Sequence, residues 1–125
     1  MKKFSTEWKS SKQPGKQRKF RLNAPLHIKH KFMGAHLSAA LRKKHGKRAV
    51  AIRREDKVKV LRGQFKGHVG KVDRVDVKKT KVYVRGVEIT KKDGTKAFYP
   101  IHPSNLMIME LNLSDKRRVA ALKRS

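Results

Sequence analysis

The stretch VLRGQFKGHVGK, residues 60–71, sets three glycines and one aromatic ring among basic side chains. Glycines beside lysines raise phosphate chemistry first. A nucleotide-binding P-loop needs G-x-x-x-x-G-K-[ST] between a strand and a long helix, so that backbone amides and the helix N-terminus hold the phosphates. Here the glycines are Gly63, Gly67 and Gly70, Lys71 precedes Val72 rather than a hydroxyl, and the next residues read as a strand. A dinucleotide G-x-G-x-x-G is equally absent. What remains is structural: Gly63 and Gly67 allow a compact loop between two strands, and Gly70 allows a bend or close backbone approach inside the second. Phe65, between Arg62 and Lys66, reads either as a plug over the end of a core or as a wedge against unstacked bases, with the second reading preferred.

Histidines and carboxylates give no catalytic constellation. His27 and His30 share a helix face at i, i+3, but no third ligand accompanies them and Lys29 and Lys31 would repel a cation, so hydrogen bonding to RNA is the better use and no metal is expected. His68 and His102 have no serine or paired acids at a defined spacing. With no cysteine in the chain, disulfides, thiolate zinc sites and cysteine nucleophiles are excluded. No enzyme, cofactor or small-molecule substrate is expected.

Charge points elsewhere. The 125 residues carry 35 Lys+Arg against 9 Asp+Glu, a net charge of +26, which strains a compact fold by self-repulsion unless a polyanion neutralises it. Residues 1–54 hold 17 of the basic residues and one acid, Glu7, whereas residues 55–113 hold 13 against 7. One acid among 54 residues leaves those cations almost no intramolecular partner. Nucleic acid is the commonest polyanion, an anionic membrane the next. No apolar run approaches the roughly 20 residues that cross a bilayer, and the N-terminus lacks the apolar stretch of a secretory signal, so a soluble cytoplasmic chain without membrane insertion is expected. The candidate RNA contacts are Lys12, Lys16, Arg18, Lys19, Arg21, His27, His30, Lys31, Arg42, Lys43, Lys44, Lys47, Arg48, Arg62, Phe65, Lys66, His68 and Lys71.

The elements that position these residues divide the chain into a basic extended arm (1–22), a helical extension (23–54), a small β domain (55–113) and a C-terminal basic helix (114–125). The arm, punctuated by Pro14-Gly15, cannot bury enough surface to offset its ordering entropy and reads as disordered when free. Trp8 within it is expected to meet RNA or a neighbouring protein. Asn23 caps a helix over APLHIKHKFM with Pro25 in its first turn, and Ser38 caps AALRKKH with Gly46 as the left-handed stop. From Asp56 the apolar residues take strand spacing: Val58 and Val60 against Lys57 and Lys59, Val82 and Val84 against Tyr83 and Arg85. The valines at 69, 72, 75 and 77 change parity once, which predicts a bulge between Gly70 and Arg74. Asp93-Gly94 marks a hairpin whose two turn residues take positive φ. KAFYP and LMIMEL complete five short strands in about 55 residues, the pattern of a small barrel. Tyr83, Phe98 and Tyr99 read as core or half-buried. At the end, Ser114 caps DKRRVAALKR, with Val119 and Leu122 on one face, a helix too short to stand without a surface beneath it.

The run DKVKVLRGQFKGHVGKVDRVDVKKTKVYV resembles a KOW motif, the glycine-centred hairpin of certain ribosomal proteins and transcription elongation factors. The flanks KQRKFRLNAPLHIKHKFMGAHLS, LRKKHGKRAVAIRRED and GTKAFYPIHPSNLMI resemble the universal large-subunit ribosomal protein twenty-four family, called twenty-six in eukaryotes, in a form closer to its archaeal members. The similarity runs from about Lys12 to Leu113. Glu55 departs from it, since the family usually has glycine before the aspartate, and this bears on the turn into the first strand.

The resemblance implies a mainly β fold, with a small SH3-like (KOW) barrel carrying a basic N-terminal extension of short helices and a short C-terminal helix. It implies a structural protein that binds large-subunit ribosomal RNA, assists early assembly, lies near the polypeptide exit tunnel beside neighbouring ribosomal proteins, and is not a homo-oligomer. A KOW-domain transcription elongation factor is the alternative, and it calls for a polymerase-binding module. A membrane-active protein would need a helix with a wide apolar face.

Overall fold

The computed structural model of the chain describes residues 7, 8 and 11–123; the parts of the predicted arm at 1–6, 9 and 10 and of the predicted last helix at 124 and 125 lie outside them. In chain order, helix α1 (Pro14–Asn23) is followed by α2 (Leu26–Lys29), which runs into a 3-10 turn (His30–Met33). Strand β1 (Gly34–Leu37), helix α3 (Ala39–His45) and strand β2 (Ala49–Ala51) come next. Five strands then follow: β3 (Lys57–Val60), β4 (Val69–Asp76), β5 (Lys81–Val84), β6 (Glu88–Thr90) and β7 (Lys96–Phe98). A second 3-10 turn (Pro103–Asn105), strand β8 (Leu106–Glu110) and helix α4 (Lys116–Lys123) complete the chain.

Strand alternation builds the core. Val58 and Val60, Val82 and Val84, and Leu106 and Ile108 point inward from β3, β5 and β8, and Val72, Val87 and Ile101 join them. The register of β4 against β5 shifts between Val72 and Arg74, within the stretch where valine parity predicts a bulge. The six-stranded sheet runs β2-β1-β8-β3-β4-β5, and β6 and β7 form a separate antiparallel ribbon. The fold is thus mixed, a six-stranded sheet with helices.

Two of the six strands come from the stretch read as a helical extension. β1 lies parallel to β8, pairing His36 with Met107 and Leu37 with Ile108, while β2 pairs antiparallel with β1. Met33, Ala35, Leu37 and Ile52 are thereby buried in the same core as the valines. A parallel pair brings together residues about 70 positions apart, and no local pattern announces it.

The ends of the helices also differ from expectation. Asn23 closes α1 rather than capping the next helix. Ala24 is extended, as a residue before proline tends to be, and Pro25 occupies the cap position of α2. The basic arm carries α1 because Pro14 fixes the first turn, Lys, Gln and Arg are good helix formers, and Phe20 gives it an anchor. Phe20 stacks on Trp8 with ring centres 4.6 Å apart and lies 6.4 Å from Phe32, so Trp8 packs within the chain. Ser38 and Gly46 act as predicted: Ser38 Oγ accepts from Leu41 N–H, and Gly46 takes φ +65° while its N–H donates to Arg42 O. In the β6–β7 loop only Gly94 has positive φ; its N–H donates to Lys91 O, and Lys91 N–H donates to Thr95 O, a longer turn than the two-residue hairpin.

Helix α4 is fixed by an interaction that its sequence conceals. Asp115, not Ser114, receives the Arg117 N–H at the helix start. The buried residues of α4 are Arg118 and Leu122, with Val119 only half-buried. Arg118 meets Asp56 through two bonds of 2.6 Å, and the side chains are 4% and 0% exposed. The Arg118 guanidinium also donates to Asn112 O and Ala51 O, while Asp56 accepts the N–H groups of Arg53 and Asn112.

Two expected outcomes follow from this packing. Arg118→Met retains helix propensity and apolar volume but leaves the Asp56 carboxylate buried without its counter-ion; the midpoint of urea unfolding should fall by an amount equivalent to about 3–5 kcal/mol, and a loss below about 1 kcal/mol would show that the pair does not hold α4. At Gly70 an added Cβ would stand 2.7 Å from the Arg85 carbonyl oxygen, just past the end of β5. Gly70→Ala should therefore cost about 1–3 kcal/mol, the range for overpacking, whereas Gly15→Ala, with open space around it in α1, should be neutral or stabilising.

Candidate nucleic-acid interface

The basic candidates reach the surface from four places. Lys16, Arg18 and Lys19 are exposed on α1, with Lys12 just before it, and none of the residues of α1 is buried. Arg21 is exposed too and lies over the Phe32 ring, 5.8 Å from its centre. His27, His30 and Lys31 are exposed on α2 and the turn after it, and Arg42, Lys43 and Lys44 on α3. Arg48 is exposed, while Lys47 is half-buried and its Nζ donates to Ala121 O at 2.9 Å, tying this basic corner to α4. Arg62 and Lys66 flank the glycine loop, and Lys71 is exposed on β4 opposite Lys57. Among the described residues none of these cations is in an ion pair, and no cluster of three His, Asp or Glu could hold a metal ion.

The loop that carries Phe65 is built by its glycines. Gly63 and Gly67 have φ of +95° and +90°, Lys66 N–H donates to Gly63 O, and Gly67 N–H donates to Val60 O. Phe65 is half-buried: one side rests on the core, and Tyr99 stands 5.3 Å away between ring centres. The ring thus covers the core edge as a plug does. His68 is also held inside the fold. Its Nε2 lies 3.0 Å from Arg85 O, and a Cβ on Gly86 would come within 2.8 Å of its ring. That close fit gives His68 a structural role in joining the β4 loop to the turn after β5.

Carboxylates are gathered where the scaffold needs them. Glu55 pairs with Arg85 at 2.7 Å, Asp73 with Arg85 at 3.5 Å, Glu110 with Lys57 at 3.9 Å, and Asp115 with Arg53. The Arg53 guanidinium and the Arg117 N–H hold the Asp115 carboxyl below the usual carboxylate value. These pairs and Asp56–Arg118 form a seam among β2, β3, β4, the turn after β5, β8 and α4. These acids join elements, while Asp76 and Asp93 bond only within their own turns.

Sequence reading passed over a second group of residues beside the glycine loop. Lys81, Tyr99, His102 and Asn105 come together with Arg62 and Phe65 around a cleft of about 190 Å3. Phe98 and Tyr99, read as core or half-buried, are 38% and 39% exposed, because nothing covers the β6–β7 ribbon. Arg74 lies over the Tyr83 ring at 4.3 Å, and Tyr83 meets Phe98 edge-on. His102 caps the 3-10 turn by accepting Ser104 N–H at Nδ1. Burial holds its pKa below the ordinary 6.5, and the charges of Lys81 and Arg21 act in the same direction. The signal available in the sequence was the string FYPIHPSN itself, whose polar residues have no alternation to mark a strand.

Comparison with known proteins gives this surface its context. Residues 11–125 match the sequence profile of a family that comprises the eukaryotic ribosomal proteins twenty-six and the archaeal ribosomal proteins twenty-four of the large subunit. The chain is 53% identical over 114 residues to the large ribosomal subunit protein uL24 of Methanosarcina barkeri (strain Fusaro), an alignment that covers 91% of this chain and 98% of that protein.

The cap at His102 makes stability depend on pH. The folded chain resists protonation of a ring that the unfolded chain protonates with the ordinary value of 6.5, so stability should fall as pH is lowered from there through the depressed folded value. Thermal unfolding of the wild type and of His102→Asn, which keeps a capping side chain, should diverge as pH falls below 6.5. Parallel curves would show that this histidine titrates as in the unfolded chain.

Proposed function

The chain belongs to the ribosomal protein family numbered twenty-six in eukaryotes and twenty-four in archaea, and on that premise we propose that its unpaired basic surfaces hold large-subunit ribosomal RNA. It is a structural protein of the large subunit of the cytoplasmic ribosome, not an enzyme. The observation that carries the RNA reading is the division of charge: five carboxylates tie elements together, while the cations of α1, α3 and the glycine loop have no ion pair among the described residues. Residues 55–113 set orientation, and the basic segments at 1–22, 23–54 and 114–125 screen phosphates where RNA helices meet. Most contacts fall on backbone and shape, since lysine and arginine on exposed helices reach phosphates before base edges.

The SH3-like reading of the β domain belongs to the same proposal. Its support is the return of the chain after β7, where Ile101 exchanges two backbone bonds with Val82 on the edge of β5 before the strand β8 begins. The sheet curls toward itself there. Early joining of the assembling subunit, a seat near the polypeptide exit tunnel, neighbouring ribosomal proteins as partners and the monomeric state rest on the family resemblance.

Helix α1 offers the cleanest test, because its cations are exposed and its helix formers are replaceable. In the full-length chain, Lys16, Lys19, Arg18 and Arg21 are all changed to Gln. Each lost phosphate contact removes about 0.7–0.9 from the slope of log K against log salt, so titration against a large-subunit rRNA fragment should give a slope smaller in magnitude by about 3. An unchanged slope would make α1 a solvated helix with no part in binding.

A further inference from the structure

The cleft beside the glycine loop is built in a way that phosphate screening does not require. Its floor is Val60 and Ile101, both buried. Phe65 and Tyr99 form two walls inclined at 50°. Backbone bonds fix the frame: Tyr99 N–H donates to Val87 O at 3.1 Å, Leu61 N–H to Asn105 O at 2.8 Å, and Ile101 to and from Val82. Arg62 and Lys81 stand at the rim without an ion pair among the described residues, and no carboxylate lines the cleft. At about 190 Å3 it is smaller than the roughly 300–1,000 Å3 of sites for drug-sized ligands. A whole dinucleotide is excluded, and a single planar ring system fits.

We propose that this cleft takes one unstacked base of the bound RNA, a base with a carbonyl-rich edge such as guanine or uracil. The inference rests on the RNA-binding reading above and adds to it a site for a single nucleotide. Sequence-directed RNA recognition works on splayed bases that stack on aromatic rings and bond through their edges, and the walls and rim supply both. The rim carries N–H donors at Arg62, Lys81 and His102, and the amides of Gln64 and Asn105 both donate and accept. Arg62 and Lys81 donate only, and His102, whose Nδ1 accepts Ser104 N–H, has its proton on Nε2 in the neutral form that burial favours. Such a rim suits guanine, with O6 and N7 acceptors, or uracil, with its carbonyls, for Arg62, Lys81 and His102, while the amide oxygens of Gln64 and Asn105 take the ring N–H groups of either base. The neighbouring phosphate lies toward Arg62 and Lys66.

Ultraviolet irradiation of isolated large subunits, followed by mass spectrometry of this chain, tests the site with the protein in its complex. The expected result is a guanine or uracil adduct on Phe65 or Tyr99. In parallel, full-length Tyr99→Ala should bind a large-subunit rRNA fragment about 5- to 100-fold more weakly, the range for loss of one stacking ring, while Tyr99→Phe retains binding and all three chains share one unfolding midpoint. Tyr99→Ala that binds like the wild type, with RNA adducts only elsewhere on the chain, overturns the base site and leaves the RNA-binding reading standing. Cross-links from Phe65 and Tyr99 to a neighbouring protein overturn it in favour of a protein contact. A wild-type chain that binds no rRNA fragment overturns both.

Discussion

Arg118 and Asp56 neutralise each other where almost no solvent reaches either side chain, and the position of α4 follows from that. Removing two charges from water costs several kcal/mol for each ion, so such a pair persists only where further hydrogen bonds complete it. Here they are present: the carboxylate accepts two backbone N–H groups and the guanidinium donates to two backbone carbonyls. The partners belong to β2, to the turn before β3 and to the segment between β8 and α4. A single electrostatic contact thereby fixes the edge of the sheet, the entry to its central strand and the last helix. An apolar contact would hold α4 as strongly, but it would not choose one rotation of the helix over another.

The same constraint explains how so basic a chain folds. Nine acidic residues cannot balance 35 basic ones, so their placement matters more than their number. Glu55, Asp56, Asp73 and Asp115 sit within one seam, against Arg53, Arg85 and Arg118. Attraction is concentrated where elements must meet, and repulsion is spread over α1, α3 and the glycine loop, where spacing and solvent screen it. A polyanion that neutralised those surfaces would act on stability as well as location, because it would bind the folded chain's arrangement of cations.

The legible part of this fold is the part whose residues answer to neighbours close in sequence. Alternating valines gave β3 and β5, the parity change gave the bulge in β4, and Ser38 with Gly46 bounded α3, because strand pleat and helix caps are local geometry. β1 was not legible: in GAHL the alternating positions are a glycine, an alanine and a histidine rather than paired valines and lysines, and its partner β8 lies far along the chain. Arg118 was not legible either, since an arginine in a basic helix looks like a solvated charge until a buried acid is placed opposite it. Trp8 and Phe20 hid for the same reason, each being a lone ring in a polar segment until the fold stacked them. At the candidate site, the exposed cations could be drawn up from charge alone. The structural fate of His68 could not, nor the gathering of Tyr99, His102 and Lys81 beside Phe65, because both depend on the return of the chain after β7.

Glu55 shows how local strain and the seam answer one another. Its φ of +73° is the left-handed conformation, which disfavours side chains with a Cβ by roughly 1–2 kcal/mol, and glycine is the residue the resemblance leads one to expect there. The glutamate is held instead by what surrounds it. Its N–H donates to Val72 O at 2.9 Å, and its carboxylate meets Arg85. Arg85 in turn donates its N–H to Lys71 O and offers its carbonyl to His68, the histidine that packs on Gly86 beside the close approach at Gly70. The strained turn before Asp56 is therefore tied through one arginine to the glycine-centred loop at the other end of β3. A glycine at this position would relax the turn but release Arg85 from its nearest acid, so the glutamate trades a local conformational cost for a contact that joins the seam to the candidate RNA-facing loop.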